Sequence, residues 1–160
     1  MGVAGSGKTT VGLILAETLR WCFVEGDDLH PGSNVAKMSQ GIPLTDCDRL
    51  PWLQSIRDLM AELQSKDTSA IVTCSALKQS YREVLRPRSN EPIQFVYLKC
   101  DAAALRDRLE QRSGHFMKVD MLTSQLAILE EPEDGIVIEV GKSQTAEQIA
   151  GDIIASLGLI

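Results

Sequence analysis

The sequence predicts an α/β fold in three layers, a parallel sheet covered by helices on both faces. Three observations lead there. Residues Gly2 to Thr9 read G-V-A-G-S-G-K-T and fit G-x-x-x-x-G-K-[ST] at every fixed position. Short apolar runs then alternate with helical patterns along all 160 residues, as in parallel sheets. Finally, the residues able to do chemistry fall just after the apolar runs, at the carboxyl ends of strands, where such sheets bind ligands.

Each element has a local reason. Val11, Ile14, Leu15 and Leu19 recur at helical spacing and predict a helix from Thr9 to about Arg20. "WCFVEGDD" is an apolar run ending in acids, a buried strand. "HPGSNVAKMSQGIPLT" holds two prolines and several turn signals, which predicts a short helix within a loop-rich excursion. Thr45 and Asp48 form a capping-box variant for a long helix from Asp46 to about Gln64. "SAIVTCSA" is a second strand, with a helix from about Lys78 to Leu85. "IQFVYLKC" is a third, and Asp101 caps a helix to Arg112. "RSGHFMKVDML" breaks the pattern, so residues 112–121 are expected to form a mobile lid before a helix from Leu122 to Leu129. "GIVIEV" is a fourth strand, and Thr145 with Gln148 caps the last helix. No linker or repeat divides residues 1–160, which are expected to form one domain.

The glycine-rich loop makes a phosphate site. Gly2, Gly5 and Gly7 permit backbone angles that turn successive N–H groups inward, so Val3, Ala4, Ser6 and Thr10 join them around an anion. The following helix adds the positive end of its dipole. Lys8 reaches the outer phosphates and Thr9 offers a hydroxyl to Mg²⁺. Such a loop normally follows a buried strand, yet only Met1 precedes it here. That strand would be the fifth, in the middle of the sheet. The expectation is that a few apolar residues precede Met1 in the full gene product, or that Met1 begins a variant isoform. The chain as written should then have an unanchored loop and two open strand edges.

A formal charge of -6 argues against a general nucleic-acid or anionic-membrane binder. The basic cluster Arg106, Arg108 and Arg112 is better matched to a small anion. The four cysteines form no C-x-x-C pair and no zinc spacing, and two lie in apolar runs as expected buried thiols. With no visible signal peptide and no apolar run near the ~18 residues of a membrane span, the expectation is cytoplasmic and reduced.

"GVAGSGKTT", "GDDLHP", "GIPLTDCDRLPWL", "CSALKQSYRE" and "RSGHFMKVDMLTSQL" together resemble gluconate kinase, the small P-loop type related to shikimate and adenylate kinases. The resemblance runs in order over nearly the whole chain. Two departures stand out: the family's first of about five strands is absent, and the segment before the last strand, "EEPEDGIVIEV", is shortened. The resemblance implies transfer of the γ-phosphoryl group of ATP, with Mg²⁺, to the 6-hydroxyl of D-gluconate. That reaction belongs to carbohydrate-acid catabolism feeding the pentose phosphate pathway. It also implies a small-molecule partner, and leaves monomer and homodimer open.

Candidate roles follow, each beside a plainer one. Asp27 is assigned to orient the acceptor hydroxyl and take its proton, and Glu25 to hold Mg²⁺ through water; the alternative is an acidic turn. Asp28, one step out of phase, is expected to face solvent. His30, Arg49, Lys78 and Arg82 are the candidates for gluconate, since arginine grips a carboxylate through paired hydrogen bonds. Against that, Arg49 could pair with Asp46 or Asp48 on a helix surface, and Lys78 and Arg82 could share a solvated face. Trp52 is assigned to core packing. Arg108 and Arg112 are placed over the nucleotide phosphates, Arg112 in a catalytic role, with a basic stripe paired to Asp107 and Glu110 as the alternative. His115 is placed in the lid by position. A shikimate-like kinase and a truncated, non-catalytic nucleotide binder are the competing functions.

Overall fold

The computed structural model describes residues 1–86, 93–110 and 115–159. Helix α1 (Lys8–Leu19) leaves the glycine-rich loop and ends at Arg20, whose left-handed backbone (φ 56°) turns the chain into strand β1 (Cys22–Glu25). A 3-10 turn at Gly26–Leu29 and helix α2 (Gly32–Ser39) follow. Helix α3 (Asp46–Ser65) starts at the Thr45–Asp48 capping box, with both reciprocal hydrogen bonds made. Then come β2 (Ala70–Thr73), α4 (Gln79–Leu85), β3 (Val96–Cys100) and α5 (Ala102–Glu110). Asp101 accepts from Ala103 N and Ala104 N, both at 3.1 Å, and so starts α5. Helix α6 (His115–Ile128), strand β4 (Ile136–Val140) and helix α7 (Ala146–Leu157) complete the order, α7 with the Thr145–Gln148 box.

The helix expected from Leu122 starts earlier. Of the stretch 112–121, residues 112–114 lie outside the described residues, while 115–121 are the first turns of α6. Beyond Gly114 the run has no glycine or proline, so nothing local stops a helix from starting at His115. Among the described residues four strands form two parallel pairs, β1 with β2 and β3 with β4, so β2 and β3 present the two open edges expected where the central strand is missing. Between the pairs runs a cleft of about 610 Å³, lined among others by Met1, Ile71, Cys74, Phe95, Val96 and Leu98. Strands bond only at about 4.8 Å, so β2 and β3 cannot reach each other across it.

Met1 and Gly2 span that gap at one end. The Met1 ammonium donates to Val96 O, Leu98 N–H donates to Met1 O at 3.0 Å, and Gly2 N–H donates to Ser75 O at 3.2 Å. The loop is therefore anchored to both halves, against the expectation that it hangs free. Two apolar layers flank the strands. Val11, Leu15, Leu98, Ile138, Ile149 and Ile153 pack α1 and α7 on one face. Val3, Trp52, Ile56, Leu77, Leu105 and Leu122 pack α3 to α6 on the other. Among the described residues no helix is long and apolar enough to cross a membrane.

Candidate active site

The loop adopts the backbone its glycines permit: φ is 141° at Gly2, 81° at Gly5 and 93° at Gly7. Gly7 immediately precedes α1, so the first N–H groups of that helix open toward the loop. Lys8 folds back to donate to Val3 O at 3.1 Å. Desolvation pushes its ammonium below the ordinary value, and the negative charges of Asp27 and Glu25 pull against that. Lys8 thus faces the two carboxylates chosen from the sequence. Ala4 N–H donates to Gln125 Oε1 at 2.7 Å, bringing α6 onto the loop. Gln125 lies in the run "RSGHFMKVDMLTSQL" with no role legible there, since only the fold brings it to the loop.

Thr9 and Glu25 meet directly. Thr9 Oγ1 donates to Glu25 Oε2 at 2.6 Å, and Thr73 Oγ1 donates to Glu25 Oε1, fixing the carboxylate from both sides. Among the described residues no group of three or more His, Cys, Asp or Glu could hold a metal alone. Mg²⁺ uses few protein oxygens and completes its shell with water and phosphate. A hydroxyl and a carboxylate side by side at a phosphate loop fit that requirement.

Asp27 and Asp28 lie exposed on the 3-10 turn after β1. Gly26, just before, is buried between strand and turn. A Cβ there would meet Thr73 O at 2.1 Å, so only glycine lets the backbone pass. Trp52 of α3 donates from Nε1 to Gly26 O at 2.7 Å and stacks on His30, with ring centroids 4.1 Å apart. Trp52 is 1% exposed, as core packing requires, yet it also props the turn carrying Asp27. Asn34, buried on α2, donates to Asp48 O at 2.8 Å and lies 3.2 Å from His30 Nδ1. Burial holds the His30 imidazole below its ordinary value; Asp27 raises it and Arg49 lowers it.

The candidate cations separate. Arg49 is buried and pairs with neither Asp46 nor Asp48. It donates to Leu44 O and lies 3.5 Å from Tyr81 Oη, its Cζ 5.7 Å from the ring centroid. Asp48 binds Lys37 instead, at 2.7 Å. Lys78 precedes α4 and donates to both oxygens of Asp46, at 2.9 and 2.8 Å. Arg82 is turned inward. It is 1% exposed and its Nη1 donates to Ala76 O and Glu130 O, both at 3.0 Å. It thereby braces the loop after β2, and its Nε has no hydrogen-bond partner among the described residues. Arg108 lies beside Cys100 at the end of β3, 4.0 Å from its sulfur, while Cys100 Sγ lies 3.7 Å from Ser6 O of the loop. Arg112 is outside the described residues, as is the side chain of His115.

A glycine-rich phosphate loop at the ends of parallel strands, with acids on the next strand, defines a P-loop kinase of small molecules. A sequence profile described as shikimate kinase matches residues 4–157. A gluconokinase of Gluconobacter oxydans (strain 621H) is 49% identical over 155 residues, covering 96% of this chain and 86% of that protein. The thermoresistant gluconokinase of Escherichia coli (strain K12) is 41% identical, with 96% and 89% covered. The crystal structure of a gluconokinase from Sinorhizobium meliloti 1021 superposes with a TM-score of 0.87 at 41% identity, covering 99% of this chain and 89% of that one. The chain belongs to the gluconokinases, within the shikimate kinase family.

Proposed function

We propose that this protein transfers the γ-phosphoryl group of ATP to the 6-hydroxyl of D-gluconate, yielding 6-phospho-D-gluconate and ADP. One observation carries the reading: the charged groups form a row. Thr9 of the phosphate loop meets Glu25, the next residue Gly26 is held by Trp52, and Trp52 stacks on His30. Asn34 joins His30 to Asp48 O of α3, and Arg49 of the same helix abuts Tyr81, which donates to Asp46 of the Lys78–Asp46 pair. A phosphate site at one end and cations at the other suit a substrate with a hydroxyl and a carboxylate at opposite ends.

In this reading Asp27 orients the 6-hydroxyl and accepts its proton as the O6–P bond forms and the bond to ADP breaks. Lys8, Arg108 and the N–H groups at the start of α1 stabilise charge on the transferring group, with Arg112 assigned the same task. Thr9 and Glu25 would hold Mg²⁺, which supplies charge neutralisation on the phosphates. His30, Arg49, Lys78 and Tyr81 bind the acid. The four cysteines are free, which suits the proposed reducing cytoplasm.

The test is ADP release from Mg-ATP with D-gluconate, shikimate or AMP as acceptor. Release with gluconate alone supports the reading. Release with shikimate or AMP moves the substrate assignment, and binding of ATP without release in any mixture makes the chain a non-catalytic nucleotide binder.

A further inference from the structure

The cation end of this row already holds a carboxylate, and it belongs to the protein. Lys78 Nζ donates to both oxygens of Asp46, and the Tyr81 hydroxyl donates to Oδ1. Arg49 stands behind Tyr81, its Cζ 5.7 Å from the ring centroid, and Lys78 Nζ lies 5.5 Å from the same centroid. A cation and a hydroxyl thus converge on one acid, with a second cation behind the hydroxyl. The Asp46 carboxyl is held below its ordinary value, first by Lys78 and then by Tyr81.

The donors and the acid differ in how firmly they are held. Arg49 and Tyr81 are 9% and 4% exposed, and the Lys78 side chain 24%, whereas the Asp46 side chain is 63% exposed. The Thr45–Asp48 capping box at the start of α3 does not involve the Asp46 side chain. Rotation about its own side-chain bonds would carry the carboxylate into water and leave the donors in place.

We infer that Asp46 is a built-in occupant of the subsite for the substrate's carboxylate, displaced when the acid binds. The inference rests on the gluconate reading above. In the free protein Asp46 neutralises Lys78 and accepts from the Tyr81 hydroxyl. An incoming carboxylate takes over the same hydrogen bonds, so the exchange is nearly balanced in charge. A neutral polyol cannot make that exchange, because displacing Asp46 would leave Lys78 without a counter-ion. Asp46 therefore weakens binding of every substrate somewhat, and binding of non-acids most.

The experiment measures the gluconate KM at saturating Mg-ATP for wild type, Asp46→Asn and Asp46→Ser, the serine variant keeping a residue suited to a helix start. Removing an occupant held by an exposed ion pair should lower KM about two- to fivefold in both variants, with KM for ATP unchanged. The fall should persist at roughly 0.5 M salt, where charges acting only at a distance are screened. A raised KM in both variants would show that Asp46 positions Lys78, and an unchanged KM, or a gain lost in salt, would show no contact competition; each overturns the inference. Wild-type protein that releases no ADP with gluconate overturns the substrate reading and this inference together. Wild-type turnover with a wrong-signed KM shift overturns this inference alone.

Discussion

Trp52 Nε1 donates to the carbonyl oxygen of Gly26 at 2.7 Å, tying the middle of α3 to the turn that carries Asp27. The same ring stacks on His30 at 4.1 Å. One side chain therefore sets both the proposed base and one wall of the acceptor pocket. Trp52→Phe retains a stacking ring and deletes the donor, so one buried hydrogen bond to Gly26 O is lost. Stability should fall by about 0.5–1.5 kcal/mol, and gluconate turnover should fall more than ATP affinity. Urea unfolding and steady-state kinetics on the same sample check both.

Gly26→Ala should be worse. Its Cβ would sit 2.1 Å from Thr73 O, a backbone atom in the paired strand that cannot move aside alone. Overpacking of this kind costs about 1–3 kcal/mol, and the strain falls one residue from Asp27. A variant with unaltered unfolding midpoint and turnover would show that the turn has more room than this contact allows.

Asp27→Asn keeps size and shape but removes the proton acceptor, so turnover should drop by at least about 10²-fold with little change in gluconate affinity. Arg49→Ala removes a contact to the bound acid and should mainly raise KM. The two variants are best compared by turnover at saturation alongside equilibrium binding of gluconate. The opposite pattern would exchange their roles.

The Met1 ammonium is buried beside Val96, and desolvation lowers its pKa from 8.0 to about 5. The unfolded chain thus holds a proton that the folded one releases between those values. Stability should rise with pH between about 5 and about 8. Placing five to seven apolar, β-branched residues before Met1 turns the amine into an amide and offers a strand to the cleft. That slope should then become shallower, leaving the part due to His30, and the unfolding midpoint should rise at every pH. Thermal unfolding of both forms from pH 5 to 8, with and without Mg-ATP, tests this; equal slopes would remove Met1 as the cause.

Much of the fold was legible because its signals are local. The capping boxes at Thr45–Asp48 and Thr145–Gln148 close within three residues, and both are formed. The loop from Gly2 to Thr9 carries its own geometry in glycine spacing, and Glu25 meets Thr9 because both stand at the same ends of neighbouring elements. The helix start at His115 was missed, since Gly114 and mixed charge obscured a run with no breaker in it.

The sequence by itself determined the phosphate loop, the order of strands and helices, and the family's reaction class, all of which rest on residues a few positions apart. Only the tertiary structure decided where the candidate cations point. Lys78 and Arg82 are four residues apart and chemically alike, but Lys78 reaches Asp46 from before the helix, while Arg82 turns inward to Ala76 and Glu130. The structure likewise paired Trp52 with Gly26, set Gln125 against Ala4, and split the strands around a cleft held at one end by Met1 and Gly2. Those outcomes depend on which side of each helix meets the strands. That is settled by packing between segments 26 to 121 residues apart, which local spacing does not encode.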